Sequence, residues 1–555
     1  MNLFCSKDCP DLCGVKAELI DGAYKFSGIA EDWSKTGFVC SKFKVFAERE
    51  INNGIKSYKV TDGVKIELSD DEAVEELYQT LLQHKDKKIL YMRGSGSLAY
   101  NMMFWDLAFA NLPNCYGVTG GPCDNTGSDA HEKDFGECIN PPVTNLEKAD
   151  TLIVYGKNAA VCSQHFYAYM KELKKKGKKI IYLDPVKTKT AELADIYIPI
   201  KPCCDGMLAC AILCELGLES GYDPAELISQ TGVSKADFDM LVDCIRNEKC
   251  AHIQGFGIQR HTNGMNAYQW IQRLAVKTDC QDLLFHGQSS KRRWTKPSAE
   301  FCGYVHVDNV AQVLADGEFD LYINTATNPA MTFPDTNLWT KGLSRTKCIV
   351  IDTNHTETSA HADLFVKVGG MFSQKDFMGS YFFPHYYTRE KLVSDMSDSE
   401  AAVKLADKMG IKLKIMEEKD VTRKPEQTRN YQTETLSLTM PDVSDKIQLI
   451  TSSHHAYLNS QILPGMEKGL QVAYMNPADA KRIGVKTGDD VVVTGEAGEF
   501  TTEALVTDGI VEKCIMCWKN IPMKEGYSNN AIKHKLTDSE TGLVYYTHFV
   551  DVRKK

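Results

Sequence analysis

Four cysteines near the start constrain this chain more than any other feature. Cys5, Cys9, Cys13 and Cys40 follow a C-x3-C-x3-C-x26-C spacing. Thiolates are soft ligands, suited to an iron–sulfur cluster or to zinc. Three closely spaced cysteines can wrap one corner of a cubane, and a distant fourth closes the site. Zinc ribbons usually pair one C-x2-C with a second C-x2-C. A [4Fe–4S] cluster is therefore the expected occupant, with structural zinc and unliganded thiols as the alternatives.

The rest of the thiol usage agrees with a metal reading. The chain holds 19 cysteines. Met1-Asn2-Leu3-Phe4-Cys5 has no basic segment followed by an apolar one, and no twin arginine precedes Cys5. The sequence as it stands is thus not addressed for export. A cytoplasmic setting is expected, where disulfides are rare and thiols stay free or bind metals. The net charge of −10 argues against nucleic-acid and anionic-membrane surfaces. No run of ~18 apolar residues occurs, so no transmembrane helix is expected.

At 555 residues, a prior of ~150 residues per domain suggests three or four domains. From about Lys88 apolar runs alternate with amphipathic stretches. Ile89–Met92, Thr151–Tyr155 and Lys179–Leu183 read as buried strands, with helical stretches from about Tyr100 to Asn111 and up to about Lys176. Strands alternating with such helices imply βαβ units and a parallel sheet. Further strands are expected at Ala251–Gln254, Leu321–Asn324 and Cys348–Asp352. Residues 395–445 read as a helix plus a linker. From about Ile447, short β-rich runs separated by Gly and Asp suggest a small β-barrel.

At this point a resemblance becomes plain. The cysteine spacing followed by Cys40-Ser41-Lys42 resembles the N-terminal module of molybdopterin oxidoreductases of the dimethyl-sulfoxide-reductase superfamily. Further motifs follow in the same order as in that family. They are Tyr155-Gly156-Lys157-Asn158, the stretch Asp184-Pro185 … Thr188 … Asp205-Gly206, and the Gly-rich turn Gln254-Gly255-Phe256-Gly257. Ile323-Asn324-Thr325 … Asn328-Pro329, Ile351-Asp352 … Thr356 and the C-terminal Ser452 … Ser460 … Asn530 … Tyr545 complete the series. The chain is therefore identified as resembling a catalytic subunit of that family over nearly its whole length.

The resemblance implies an α/β multi-domain fold with an N-terminal Fe–S module, two Rossmann-like domains and a C-terminal barrel. Its implied boundaries are 1–50 for the cluster module and 51–140 plus 345–440 for a discontinuous α/β domain. A Rossmann-like domain would span 141–344, and the dinucleotide-binding barrel 441–555. Its implied cofactors are the [4Fe–4S] cluster, bis-molybdopterin guanine dinucleotide, and Mo or W. Asp184 and Asp205 would meet a guanosine moiety, and Asp352 and Thr356 would face the second nucleotide. Gly156, Asn158, Thr188, Gly257, Asn324 and Asn328 would also contact the cofactor. Ser452, Ser460, Asn530 and Tyr545 would reach pterin or phosphate. Lys42 would lie between the cluster and a pterin. The implied partner is an iron–sulfur or ferredoxin-type electron-transfer subunit, and the implied substrate a small molecule.

In this family a protein side chain usually completes the metal's ligand set, from a loop after the second βα unit. Residues 113–130 supply that loop here. Cys123 is the expected ligand, because a thiolate just before a helix start is electrostatically favoured. Cys115 and Asp124 are the alternatives. His131, His165 and His385 are candidate proton donors or bases near the metal. Cys514 and Cys517 are expected in the barrel core, and Cys203 and Cys204 in packing.

Three departures matter. The first spacing is C-x3-C where many members have C-x2-C. Asp124, not His, follows Cys123, which speaks against formate oxidation. After Asp363 the common Glu-Gly-Arg pattern is absent, and Ser373-Gln374-Lys375-Asp376 … Ser380-Tyr381 stands instead. The leading expectation is two-electron redox of the oxygen- or sulfur-atom transfer type. The alternatives are formate-type oxidation, a non-redox hydratase on the same scaffold, and an electron-transfer subunit without pterin.

Overall fold

The structure, a computed structural model, describes residues 1–30, 37–51, 54–286, 297–380, 383, 386–422 and 429–555. His385 and Tyr381 lie outside the described residues.

Two parallel sheets organise the chain. In the first, the strands Ile196–Pro199, Lys179–Asp184, Thr151–Tyr155, Cys250–Gln254 and Leu284–His286 lie side by side in that order. Every neighbouring pair among them is parallel. The central strand Thr151–Tyr155 is buried at all five positions. A continuous apolar run of this kind is what a strand covered on both faces requires.

The second sheet has eight strands, running Gly303–His306, Cys115–Thr119, Ile89–Arg93, Leu321–Thr325, Lys347–Asp352, Leu364–Lys367, Ser57–Thr61 and Val64–Leu68. The first six are mutually parallel, and the hairpin Ser57–Leu68 joins antiparallel at the edge. Its turn is Asp62-Gly63, both with positive φ, the conformation a two-residue hairpin needs.

The sheet membership corrects one expected boundary. Leu321–Thr325, expected with the 141–344 domain, instead pairs with Ile89–Arg93 and Lys347–Asp352. Gly303–His306 likewise pairs with Cys115–Thr119. An apolar run announces a strand but not its neighbours, because backbone pairing is the same for any sequence. The chain therefore returns to the second sheet between His286 and Gly303.

Strand order reverses once in each sheet. In the five-stranded sheet the reversal lies between Thr151–Tyr155 and Cys250–Gln254, so Gly156 and Gly255 stand together at their carboxyl ends. In the eight-stranded sheet it lies between Ile89–Arg93 and Leu321–Thr325, where Gly94 meets Ala326. Open α/β sheets bind ligands outside such reversals.

The remaining parts wall off those two points. A closed six-stranded barrel follows the order Ile447–Ser452, Cys514–Trp518, Val472–Met475, Glu499–Val506, Asp490–Thr494 and Phe549–Lys554. Cys514 and Cys517 are fully buried in it. A three-stranded antiparallel sheet, Asn2–Phe4, Gly14–Ile20 and Ala23–Gly28, carries the first three cysteines at its margin. The expected helix after 395 is Asp398–Lys408, opened by a Ser397–Glu400 capping box. Among the described residues no helix is long and apolar enough to cross a membrane.

Candidate active site

Two cavities open at the two strand-order reversals. The larger, about 890 Å³, lies over the eight-stranded sheet and is lined by Arg93 to Ala99, Asn328, Asp352 and Thr356. The smaller, about 150 Å³, lies over the five-stranded sheet and is lined by Gly156, Asn158, Asp184, Thr188, Asp205 and Gly257. The barrel contributes Ser460 and Tyr545 to the larger and Ser452 to the smaller.

Two expected contacts are corrected. Asn324 is fully buried and lines neither cavity. Its amide donates to Thr327 O at 2.8 Å and its carbonyl accepts from Tyr322 at 3.0 Å, so it fixes the turn. Asn530 also lines neither, since its side chain accepts from Tyr527 N at 2.7 Å and donates to Asn337 at 2.8 Å. Short polar side chains bond to nearby backbone as readily as to a ligand.

Cys123 stands where the cavities meet and lines both. Asp8, Arg260, Lys519, Asn459 and Thr451 share that position. The competing ligands are held elsewhere. Cys115 is fully buried on its strand and lines neither cavity. The Asp124 carboxylate accepts from His286 Nε2 at 2.8 Å and Gln259 Nε2 at 3.2 Å. The helix Asn125–Phe135 begins just after, with Asp124 as its N-cap position. The barrel holds this loop from the other side, with Gly121 N donating to Thr541 O at 2.8 Å and Leu543 N donating to Gly121 O at 3.3 Å.

The electrostatics of the junction suit an anionic guest. Burial pushes the Cys123 thiol well up, and the Asp8 and Asp124 charges add to that. Arg260 and Lys519 act in the opposite sense. Arg260 is buried, lies 4.9 Å from the Tyr545 ring centroid, and its Nε has no hydrogen-bond partner. Burial, with the Arg260 charge, lowers the Lys519 ammonium to about 8. A buried Arg260 with an unpartnered N–H and a half-buried Lys519 fit a phosphate or dithiolene-bearing group between the cavities. Burial also raises Asp184 to about 6 and Asp205 to about 7. Such carboxyls regain their ordinary acidity when a ligand N–H donor reaches them.

A third pocket, about 30 Å³, is lined by Cys5, Cys9, Cys13 and Cys40 together. All four thiols are shifted up, chiefly by burial, and each is raised further by other thiols of the set or by Asp11. Lys42 lines both this pocket and the smaller cavity.

The histidines fall away from the metal position. His165 belongs to the cysteine pocket, with its Nδ1 3.0 Å from Cys13 Sγ and its Nε2 donating to Phe38 O at 3.1 Å. His131 is buried behind the Cys123 loop, bonded to Gln254 at 3.0 Å, and lines neither cavity. Cys204 packs in the core. Cys203 does more than pack, because it lines the smaller cavity and lies 2.9 Å from His261 Nδ1. Asp8, Arg260 and Lys519 carried no expected role. Asp8 sits between two of the motif cysteines and Arg260 beside the Gly-rich turn, whereas Lys519 follows an apolar strand with no motif around it.

Comparison with known proteins agrees with this geometry. A family model described as "Molybdopterin oxidoreductase" matches residues 66–365, and one described as "Molydopterin dinucleotide binding domain" matches residues 447–549. The chain is 22% identical to the probable oxidoreductase YoaE of Bacillus subtilis, covering 99% of this chain and 98% of that one. It is 25% identical to the probable oxidoreductase YyaE of the same organism over 73% of this chain and 68% of that one. Among solved structures it resembles acetylene hydratase from Pelobacter acetylenicus, with a TM-score of 0.82 and 14% identity over the full length of both chains. That last likeness is one of fold. The chain belongs to the molybdopterin oxidoreductase family, and its C-terminal barrel is the family's dinucleotide-binding domain.

Proposed function

We propose that the chain is a catalytic subunit that performs two-electron chemistry on a small substrate, of the oxygen- or sulfur-atom transfer type. Cys123 at the junction of the two cavities is the observation that carries this reading. Each cavity would hold one pterin guanine dinucleotide, and Cys123 would complete the ligand set of Mo or W. The bound metal supplies the redox change and substrate activation.

The protein's own groups bind and orient. Asp184 and Asp205 would accept hydrogen bonds from one guanine, and Asp352 with Thr356 would meet the other nucleotide. Arg260 and Lys519 would offset the negative charge of the dithiolenes and phosphates. The barrel strap Thr541–Leu543 and the Asp124–His286 bond hold the Cys123 loop. A ligand fixed from both sides keeps its geometry through turnover.

Cys5, Cys9, Cys13 and Cys40 would hold a [4Fe–4S] cluster. The four thiols surround one pocket, and their C-x3-C-x3-C-x26-C spacing differs from the paired C-x2-C of zinc ribbons. That arrangement supports a cluster over one zinc. Lys42 would help carry electrons between the smaller cavity and the cluster, and onward to an iron–sulfur or ferredoxin-type partner. Nineteen cysteines, all free thiols, suit a reducing compartment such as the cytoplasm.

The test is dye-linked turnover with the Cys123→Ala variant as control. Reduced viologen should be consumed on adding a small oxidised substrate. Cys123→Ala should lower that rate at least ~100-fold while the four-cysteine site keeps its iron. Substrate turnover without electron consumption would overturn the redox reading in favour of a hydratase.

A further inference from the structure

Three residues, Ser6, Lys7 and Asp8, separate Cys5 from Cys9. Lys7 lines the four-cysteine pocket and also the larger cavity. Lys42 lines the same pocket and the smaller cavity. The two lysines thus leave the cysteine site in different directions, one toward each cavity.

Lys7 is built in, not draped over the surface. It is 8% exposed and forms an ion pair with Glu50 whose side chains are 9% and 3% exposed. Its ammonium lies 5.4 Å from the Phe46 ring centroid. The Glu50 carboxyl group is itself buried and packs directly against Gly370, where an added Cβ would meet it. A buried ion pair is a poor device for stability, because desolvation cancels most of the attraction. Its placement between two cavities therefore calls for another role.

We propose that Lys7 is a second cationic bridge, joining the cysteine pocket to the larger cavity as Lys42 joins it to the smaller. The inference rests on the cluster reading above. One-electron reduction of a [4Fe–4S] cluster adds one negative charge and breaks no bond. A buried cation beside it stabilises the reduced form, and a buried anion destabilises it. Lys7 and Glu50 would then set the potential of the cluster with opposite signs. Through the larger cavity Lys7 would act on the dinucleotide held there and so on the metal. Lys7 is a positioning residue for charge and does not itself react.

The experiment is an EPR-monitored redox titration of the holoenzyme, with dithionite as the electron source. In Lys7→Met the cluster potential should fall, lowering the reduced-to-oxidised ratio roughly tenfold at fixed potential, or about 59 mV for one electron. In Glu50→Gln it should rise, and Lys7→Arg should stay near wild type. A structural role would not give shifts of opposite sign. The potential of the Mo or W centre should move in the same sense as the cluster in Lys7→Met. Iron-replete variants with an unchanged cluster potential would overturn the proposal. A shift confined to the cluster would overturn the bridge to the larger cavity. Wild-type protein without iron would instead remove the cluster reading on which this one stands.

Discussion

Asp205 shows how single residues in this molecule are poised for a ligand. Its carboxyl is buried at the start of the helix Asp205–Glu215, close enough to Asp184 to feel its charge. Burial first, then the Asp184 charge, raises it to about 7 from an ordinary value of 3.8. The folded chain therefore keeps this proton to higher pH than the unfolded chain does. The stability it contributes is full below about pH 4 and is lost as pH rises through about 7. Asp205→Asn should make the cofactor-free protein more stable at pH 8 by on the order of 1–4 kcal/mol, with little difference at pH 4. Thermal unfolding of both forms across that range checks it. The same variant should retain less guanine dinucleotide, which extraction and chromatography would show.

At the residue scale the sequence was legible wherever several ligands share a spacing. The four cysteines surround one pocket, and Asp184, Thr188 and Asp205 line one cavity. It was least legible for Lys519, a lone cation after an apolar strand. Only the closed barrel brings it to the junction, and no local pattern encodes that. Asn324 and Asn530 failed for the complementary reason, because their amides were already satisfied by neighbouring backbone and side chains.

Among elements, the two strand-end loops Gly156–Asn158 and Gly255–Gly257 decide the shape of the smaller cavity. Gly156 has φ +54°, and a Cβ on Gly255 would run into Gly156 O and the Lys157 side chain. Gly255→Ala should force the loops apart, costing about 1–3 kcal/mol and reducing dinucleotide content. Unchanged content and unchanged unfolding would count against the close packing. Buried parallel strands such as Thr151–Tyr155 were readable because both faces are covered and the apolar run is unbroken. Which sheet Leu321–Thr325 joins was not readable. That depends on the chain's return after His286, a long-range choice that no window of residues reports.

In the whole molecule, the barrel closes the site by docking against the sheets. The Asp538 carboxylate accepts from Met265 N at 2.7 Å and Asn266 N at 2.8 Å, capping the helix Gly264–Lys277 from another domain. Asp538→Ala leaves those N–H groups without that acceptor. It should lower stability by about 1–2 kcal/mol and loosen the barrel against the helix. Faster hydrogen exchange in residues 264–268 and 536–547 would show this, and unchanged exchange would argue that docking rests on apolar contact alone.

The central claim is that three pockets of one chain hold a cluster, two dinucleotides and one metal. It is tested most directly by purifying the chain without oxygen from cells able to load such cofactors, then measuring metals and released pterin together. About four irons, about one Mo or W and about two guanine dinucleotides per chain are expected. Iron without Mo, W or pterin would contradict the claim and make the chain an electron carrier on a catalytic scaffold.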